Sequence, residues 1–124
     1  MAFHRAEANN AFNTQMLREL SAAYEQMKTD NDIRVGVVWA EGKHFTLGLE
    51  LNEVAAGIEK SDGNLLSTPD GSDPWGISGR AKTKPVVVAG HGFCLTLAIE
   101  LMLASEIRIA TPSAKFAQME VQRG

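Results

Sequence analysis

The chain is predicted to fold as an α/β domain around a mostly parallel sheet. Residues 33–40 (Ile-Arg-Val-Gly-Val-Val-Trp-Ala) form a nearly continuous β-branched, apolar run, and residues 85–89 (Pro-Val-Val-Val-Ala) form a second. Runs of this kind mark strands covered on both faces. Stretches with apolar residues at helical spacing lie beside them. The order strand, helix, strand, helix, strand implies right-handed crossovers and parallel pairing. At 124 residues the chain has room for one domain with a single modest core.

The opening stretch, residues 2–10, has no clear period and ends in the turn-like pair Asn9-Asn10. Asn13 or Thr14 can then cap a helix, since either side chain can accept from the orphan N–H groups of a first turn. Met16, Leu17, Leu20, Tyr24 and Met27 fall on one face of that helix, with Arg18, Glu19 and Glu25 facing outward. Thr29-Asp30-Asn31-Asp32 stops it, and the first buried strand follows. A short polar turn, Glu41-Gly42-Lys43, leads to Phe45-Thr46-Leu47-Gly48-Leu49-Glu50-Leu51, and residues 50–59 suit a short helix. Residues 61–79 are polar and rich in turn signals (Ser61-Asp62-Gly63, Pro69-Asp70-Gly71, Asp73-Pro74), which reads as a long surface excursion. The second buried strand begins after Pro85. Thr96 is placed to cap a helix running to about Ser105, and Ile107-Arg108-Ile109-Ala110 makes a third strand.

Composition excludes several classes. A formal charge of −3 without a basic run argues against nucleic acid as a partner. Cys94 is the single cysteine, so neither an intrachain disulfide nor a cysteine-based metal cluster can form. His4, His44 and His91 match no zinc spacing; the first two read as solvent-facing and His91 as part of a glycine turn. Cys94, Trp39 and Trp75 read as packing residues. No metal or bound cofactor is expected. Nothing approaches a membrane-spanning length, and the opening residues lack the apolar core of a signal peptide. No membrane association and a reducing, cytoplasmic setting are the expectation.

Two carboxylates carry the chemistry the sequence offers. On pattern alone Glu100 and Glu120 each read as solvated surface charges. Glu100, however, stands among Leu97, Ala98, Ile99, Leu101, Met102 and Leu103, in helix turns that look buried nearly all round. A carboxylate there must be paired, hydrogen-bonded or kept protonated. Carboxyl groups from separate elements are a common means of moving protons at a substrate. A carbonyl substrate that loses a neighbouring proton, or gains a nucleophile in conjugation with it, develops charge on the carbonyl oxygen, and two converging backbone N–H groups stabilise it. One such donor can come from the Gly48-Leu49 turn. The other can come from the start of the Thr96 helix, where the N–H groups and the helix dipole favour an anion. Gly48 and Gly92, taken singly, read as turn formers.

In order and spacing these segments resemble the enoyl-CoA hydratase/isomerase (crotonase) family through nearly the whole chain. Residues 5–11, Arg-Ala-Glu-Ala-Asn-Asn-Ala, look like its Arg-Pro-Glu-x-x-Asn-Ala loop, with Ala6 in place of proline. Residues 45–51 look like its Phe-Ser-Ala-Gly-Ala-Asp-Leu loop. Residues 83–89 and 100–110 match its central strand–helix–strand, and residues 114–121, Ala-Lys-Phe-Ala-Gln-Met-Glu-Val, match Ala-Lys-Phe-Gly-Gln-Pro-Glu-Val.

The resemblance implies an α/β, crotonase-like ββα superhelix, with residues 1–124 a single, partial domain expected to be incomplete at both ends: the first β-hairpin and the later helices of the pocket and trimer contacts fall outside it. It implies an acyl-CoA partner, the enzyme acting in fatty acid metabolism as a lyase that hydrates a trans-2-enoyl-CoA. Glu100 and Glu120 fall at the two catalytic positions, handling the water and the C2 proton. The N–H groups of Leu49 and Leu97 would form the oxyanion hole, and the backbone around Ala8, Asn9, Asn10, Leu47 and Gly48 would lie along the CoA arm. Coenzyme A enters only as the substrate's thioester, and a homo-oligomer, trimer or hexamer, is implied. The family's Gly-Gly-Gly reads Thr96-Leu97-Ala98 here, and Leu49 stands where alanine is usual, so either the acyl pocket is altered or the site is impaired. An enoyl-CoA isomerase, which needs the same hole and one base, is the alternative within the family. A non-catalytic acyl-CoA-binding or assembly module, or an inactive fragment, is the alternative outside it.

Overall fold

In the computed structural model, which describes residues 1–58, 70–77 and 79–122, every paired strand runs parallel to its neighbour. The chain opens with strand β1 (Ala2–Phe3), a 3-10 turn (Ala6–Ala8) and helix α1 (Thr14–Thr29). Strand β2 (Gly36–Ala40) and helix α2 (Leu51–Ile58) follow. Strands β3 (Val86–Gly90) and β4 (Phe93–Leu95) then lead into helix α3 (Leu97–Leu103). Strands β5 (Ile107–Ala110) and β6 (Lys115–Ala117) and a 3-10 turn (Met119–Gln122) complete the described part. The main sheet has the order β1-β2-β3-β5. A second layer pairs β4 with β6 and extends through single bridges from Thr46 to Cys94 and from Phe12 to Leu49.

Local chemistry sets the ends of α1. Asn13 is its cap, accepting from the Met16 N–H at 2.9 Å, a contact worth about 1 kcal/mol. Asp30 ends it in extended conformation. Leu17, Leu20, Ser21, Tyr24 and Met27 are the buried face, near the stripe the spacing predicts, with Met16 at its margin. Across from them lie the inward residues of the main sheet, Val38, Ala40, Val86 and Val88. Gly36 lies where β2 passes α1: a Cβ there would require the Met27 and Met1 side chains to shift.

The prediction that residues 33–40 are covered on both faces is not met. Burial along β2 alternates strictly, and Val35, Val37 and Trp39 are 46%, 46% and 44% exposed. Trp39 is therefore not a core residue. The register aligns Val37 with Val87 and Val87 with Ile107, so the outer face carries an apolar row across three strands; Ile107 and Ile109 are more than half exposed. A continuous apolar run does not distinguish one covered face from two. This face predicts self-association: sedimentation over a range of concentration should show a weight-average mass that rises with concentration, whereas a constant monomer mass would contradict it.

Residues 59–69 and 78 lie outside the described residues; they take in the last position of the helix expected over 50–59 and much of the stretch 61–79 read as a surface excursion. The part described is not all surface. Gly71, Ser72, Asp73, Pro74 and Trp75 are buried, and Trp75, 4% exposed, belongs to the core. Ser72 fixes the segment to α1: its N–H and carbonyl bond to Ser21, and its hydroxyl donates to Glu25 at 2.7 Å. Among the described residues no helix is long and apolar enough to cross a membrane, and no cluster of three metal-binding side chains occurs.

Candidate active site

Three loops meet where the two sheet layers adjoin. The first, residues 5–12, is tied down from within. Asn10 is wholly buried, accepting from the Arg5 N–H through Oδ1 and donating through Nδ2 to the carbonyls of Glu41 and His44. Its own carbonyl accepts the Thr46 hydroxyl at 2.7 Å. Asn9 and Asn10 take positive φ (51° and 54°), which asparagine tolerates better than most side chains. Asn9 is exposed and Ala8 half-buried, so of this trio Asn10 turns inward and the other two face outward.

The second loop is Phe45–Leu49 in sequence, residues 45–49, of which Leu47 is exposed and Gly48 buried. Phe12 grips it from both sides of Leu49, donating to the Gly48 carbonyl and accepting from the Glu50 N–H, each at 2.8 Å. The third is the turn from β4 into α3. Leu95 N–H donates to the Thr46 carbonyl and Thr96 N–H to the Ala117 carbonyl, which draws the second loop, α3 and β6 together. Gly48 has φ +98°, and a Cβ on it would fall well inside van der Waals contact of Thr96 Oγ1. The two turns are thus packed directly on each other. No acceptor for the Leu49 or the Leu97 N–H is found among the described residues.

Thr96 departs from its sequence reading. It occupies the N-cap position, but its hydroxyl makes no cap bond; the residue is 7% exposed with φ 51°, and Oγ1 is buried with no partner among the described residues. A β-branched residue at positive φ stores strain of about 1–3 kcal/mol. Glycine, which the family motif has here, would carry none. Helix α3 is seven residues long and ends at Leu103, not near Ser105, so the anion-favouring feature of its start is the free N–H groups rather than a long macrodipole.

Glu100 is half-buried, one turn into α3, and its surroundings are less apolar all round than its neighbours suggest: Leu103 is 69% exposed. Its carboxylate accepts from Gln118 Nε2 at 3.0 Å, a partner that sequence reading missed. Gln118 Oε1 is buried with no partner among the described residues. Glu120 lies in the closing 3-10 turn rather than on an open loop, and is exposed. The two glutamates therefore come from separate elements, with Gln118 joining the strand leading to Glu120 to the helix that carries Glu100.

Residues 1–124 match the family profile described as enoyl-CoA hydratase/isomerase from end to end. The chain belongs to the enoyl-CoA hydratase/isomerase family. It is similar to the mitochondrial Delta(3,5)-Delta(2,4)-dienoyl-CoA isomerase of Rattus norvegicus, 33% identical over 129 residues that take in 98% of this chain and 39% of that protein. It is similar also to enoyl-CoA hydratase EchA19 of Mycobacterium tuberculosis, 31% identical over 98% of this chain and 46% of that one. The crystal structure of a probable enoyl-CoA hydratase/isomerase from Mycobacterium abscessus matches with a TM-score of 0.91 and 46% identity, covering 99% of this chain and 46% of that one. The fold is accordingly the α/β crotonase fold, and the chain spans less than half the length of these relatives.

Within this family member, Leu97 turns its side chain into the core. Its side chain is 3% exposed and packs in the core, leaving the backbone N–H at the turn; its carbonyl accepts the Trp75 indole N–H at 3.1 Å. Leu49 is half-buried against the same core. A cavity of about 430 Å³ lies elsewhere, between β1 and α1, lined by Phe3, Arg5, Asn13, Met16 and Leu20 among others. Leu49, Leu97, Glu100 and Glu120 do not line it.

His44 and His91 each bond to backbone groups of the neighbouring turns. His44 is not solvent-facing as expected: it is half-buried, and its Nδ1 accepts from the Phe93 N–H at 3.2 Å. Burial, with Lys43 and His91 nearby, holds its pKa below the ordinary histidine value, which suits a neutral acceptor. His91 Nε2 pairs with the Gly42 carbonyl at 2.9 Å. Cys94 is fully buried, and burial pushes its thiol up to about 11. A thiol raised in the folded state stabilises below its unfolded pKa, and that contribution is lost as the unfolded chain ionises first. Urea midpoints should therefore fall between about pH 9 and about 11, with a shallower fall for Cys94→Ala.

Proposed function

We propose that this chain carries the front half of an enoyl-CoA hydratase site, adding water across the 2,3 double bond of a trans-2-enoyl-CoA. The observation that carries the reading is the contact of the Gly48-Leu49 and Thr96-Leu97 turns, whose Leu49 and Leu97 N–H groups have no acceptor among the described residues, at the start of the helix that carries Glu100. A thioester oxygen held by Leu49 N–H and Leu97 N–H would gain hydrogen-bond strength as it becomes an enolate oxygen, lowering the barrier rather than merely tightening binding. Glu100, oriented by Gln118, and Glu120 would share the work on water: one takes its proton as oxygen adds at C3, and the other delivers a proton to C2. Atoms balance, since one water is consumed and both carboxyl groups return to their starting states through proton exchange.

The nucleotide and pantetheine arm of coenzyme A would run along Ala8, Asn9, Leu47 and Gly48. Asn10 would contribute there by holding the loop's shape, because its side chain and carbonyl are already engaged. The similarity to the rat dienoyl-CoA isomerase supports a second reading in the same pocket, proton transfer without water, which needs a single base. Incubating the chain separately with a short trans-2-enoyl-CoA and a short 3-enoyl-CoA separates the two. Formation of 3-hydroxyacyl-CoA from the first supports hydration, and conversion of the second to the conjugated isomer without hydroxyacyl product supports isomerisation. Absence of both turnover and calorimetric binding with each thioester would sink the reading.

A further inference from the structure

Trp75 is linked to both halves of the proposed oxyanion hole, directly to one and through Phe12 to the other. Its indole N–H donates to the Leu97 carbonyl at 3.1 Å. Its ring meets Phe12 edge-on, with centroids 6.3 Å apart and planes at 73°, and Phe12 is the residue whose backbone clamps Gly48 and Glu50 on either side of Leu49. One side chain therefore bonds the residue that presents Leu97 N–H and packs on Phe12, which holds the turn that presents Leu49 N–H.

The indole is itself firmly seated. Trp75 N–H and Ile77 N–H both donate to the Asp73 carboxylate, at 2.8 and 2.7 Å, and Asp73 N–H donates to the Arg80 carbonyl at 2.8 Å. Arg80 pairs with Glu25 of α1 at 2.9 Å, and the same glutamate accepts the Ser72 hydroxyl. Through this segment α1, a long and well-packed element, backs a strut that ends between the two donor loops.

We propose that Trp75 is a positioning residue that fixes the separation and direction of the Leu49 and Leu97 N–H donors. The proposal rests on the reading of those two groups as the oxyanion hole. Hydrogen-bond donors aimed at developing charge are effective only when they need not reorganise, so loosening the strut costs rate more than affinity. The Leu97 carbonyl, at the first position of α3, retains the ordinary intrahelical acceptor role when the indole is removed, so stability is affected less than donor geometry.

The test uses Trp75→Phe, which keeps a ring against Phe12 and removes the N–H. The isosteric benzothiophene side chain at position 75, with sulfur for N–H, serves if phenylalanine fails to fold. Two readouts are taken: kcat and KM for a trans-2-enoyl-CoA, and the red shift of a conjugated arylacryloyl-CoA on binding, which reports hydrogen bonding to the thioester carbonyl. The expected result is a kcat lowered about tenfold with KM within about twofold, and a diminished red shift. A lower Tm with wild-type kcat and wild-type red shift would make Trp75 a core residue only and overturn the proposal. If the unaltered chain binds the chromophore with no red shift, or does not bind it, the oxyanion-hole reading fails and the positioning role falls with it; that outcome is recognised before any variant is made.

Discussion

Gly48→Ala should destabilise the chain by about 3 kcal/mol and abolish acyl-CoA binding in the fraction that folds. Two costs add at this position. The φ of +98° is a region that side chains rarely adopt, and the added Cβ would press on Thr96 Oγ1. Thr96 cannot swing away cheaply, being 7% exposed, β-branched and already at positive φ. Relief would come from moving the turn, and the turn carries Leu49 N–H. Thr96→Gly removes the collision but not the φ penalty, so the double variant should recover part of the lost stability. The coupling between the two positions, read from urea midpoints of the four proteins, should be of order 1 kcal/mol or more. Additive behaviour would mean that the two turns are not in contact in solution.

The same contact marks the limit of what the sequence discloses. The strand–helix alternation, the stop after α1 and the parallel pairing were legible because each rests on periodicity or a local cap, and residues 13, 29–32 and 107–110 behave as their chemistry dictates. The outer face of β2 was misread because Val35, Val37 and Trp39 continue an apolar run whose burial depends on what else is present to cover it. The segment 71–75 was hidden for the opposite reason: serine, aspartate, proline and glycine signal turns, and no periodicity shows that a turn is folded into the core. Trp75 reads as packing from its type alone, but its bond to Leu97 is a tertiary fact. Glu100 was found through its apolar neighbours, while Gln118, 18 residues away, carries no signal until β6 brings it across. Thr96 is a further case. Its type suggests a cap, and only its backbone angles reveal that the hydroxyl has turned from the helix toward the Gly48 turn.

Glu100→Gln and Glu120→Gln should each raise the hydration barrier by about 2–4 kcal/mol, since each removes a group that must gain or lose a proton at the reacting centre. The substitutions are clean in different ways. Glutamine at 100 can still accept from the Gln118 amide, so the pairing between α3 and the end of β6 persists while the titrating group is lost. Glu120 is exposed in a 3-10 turn, where an uncharged amide of the same length disturbs no packing. Circular dichroism and urea midpoints should thus remain close to wild type for both, and the effect should appear in kcat rather than in KM. The pattern of losses discriminates among the readings. Comparable losses at both positions require two proton-handling groups and support hydration. A severe loss at one and a mild loss at the other fits the isomerase. Acyl-CoA affinity that survives both substitutions in a chain without turnover fits a binding module, in which the two N–H donors hold a thioester and no proton moves. Should an active preparation keep its hydration rate in both variants, neither glutamate is catalytic, and Glu100 is left as a residue that anchors Gln118 to α3.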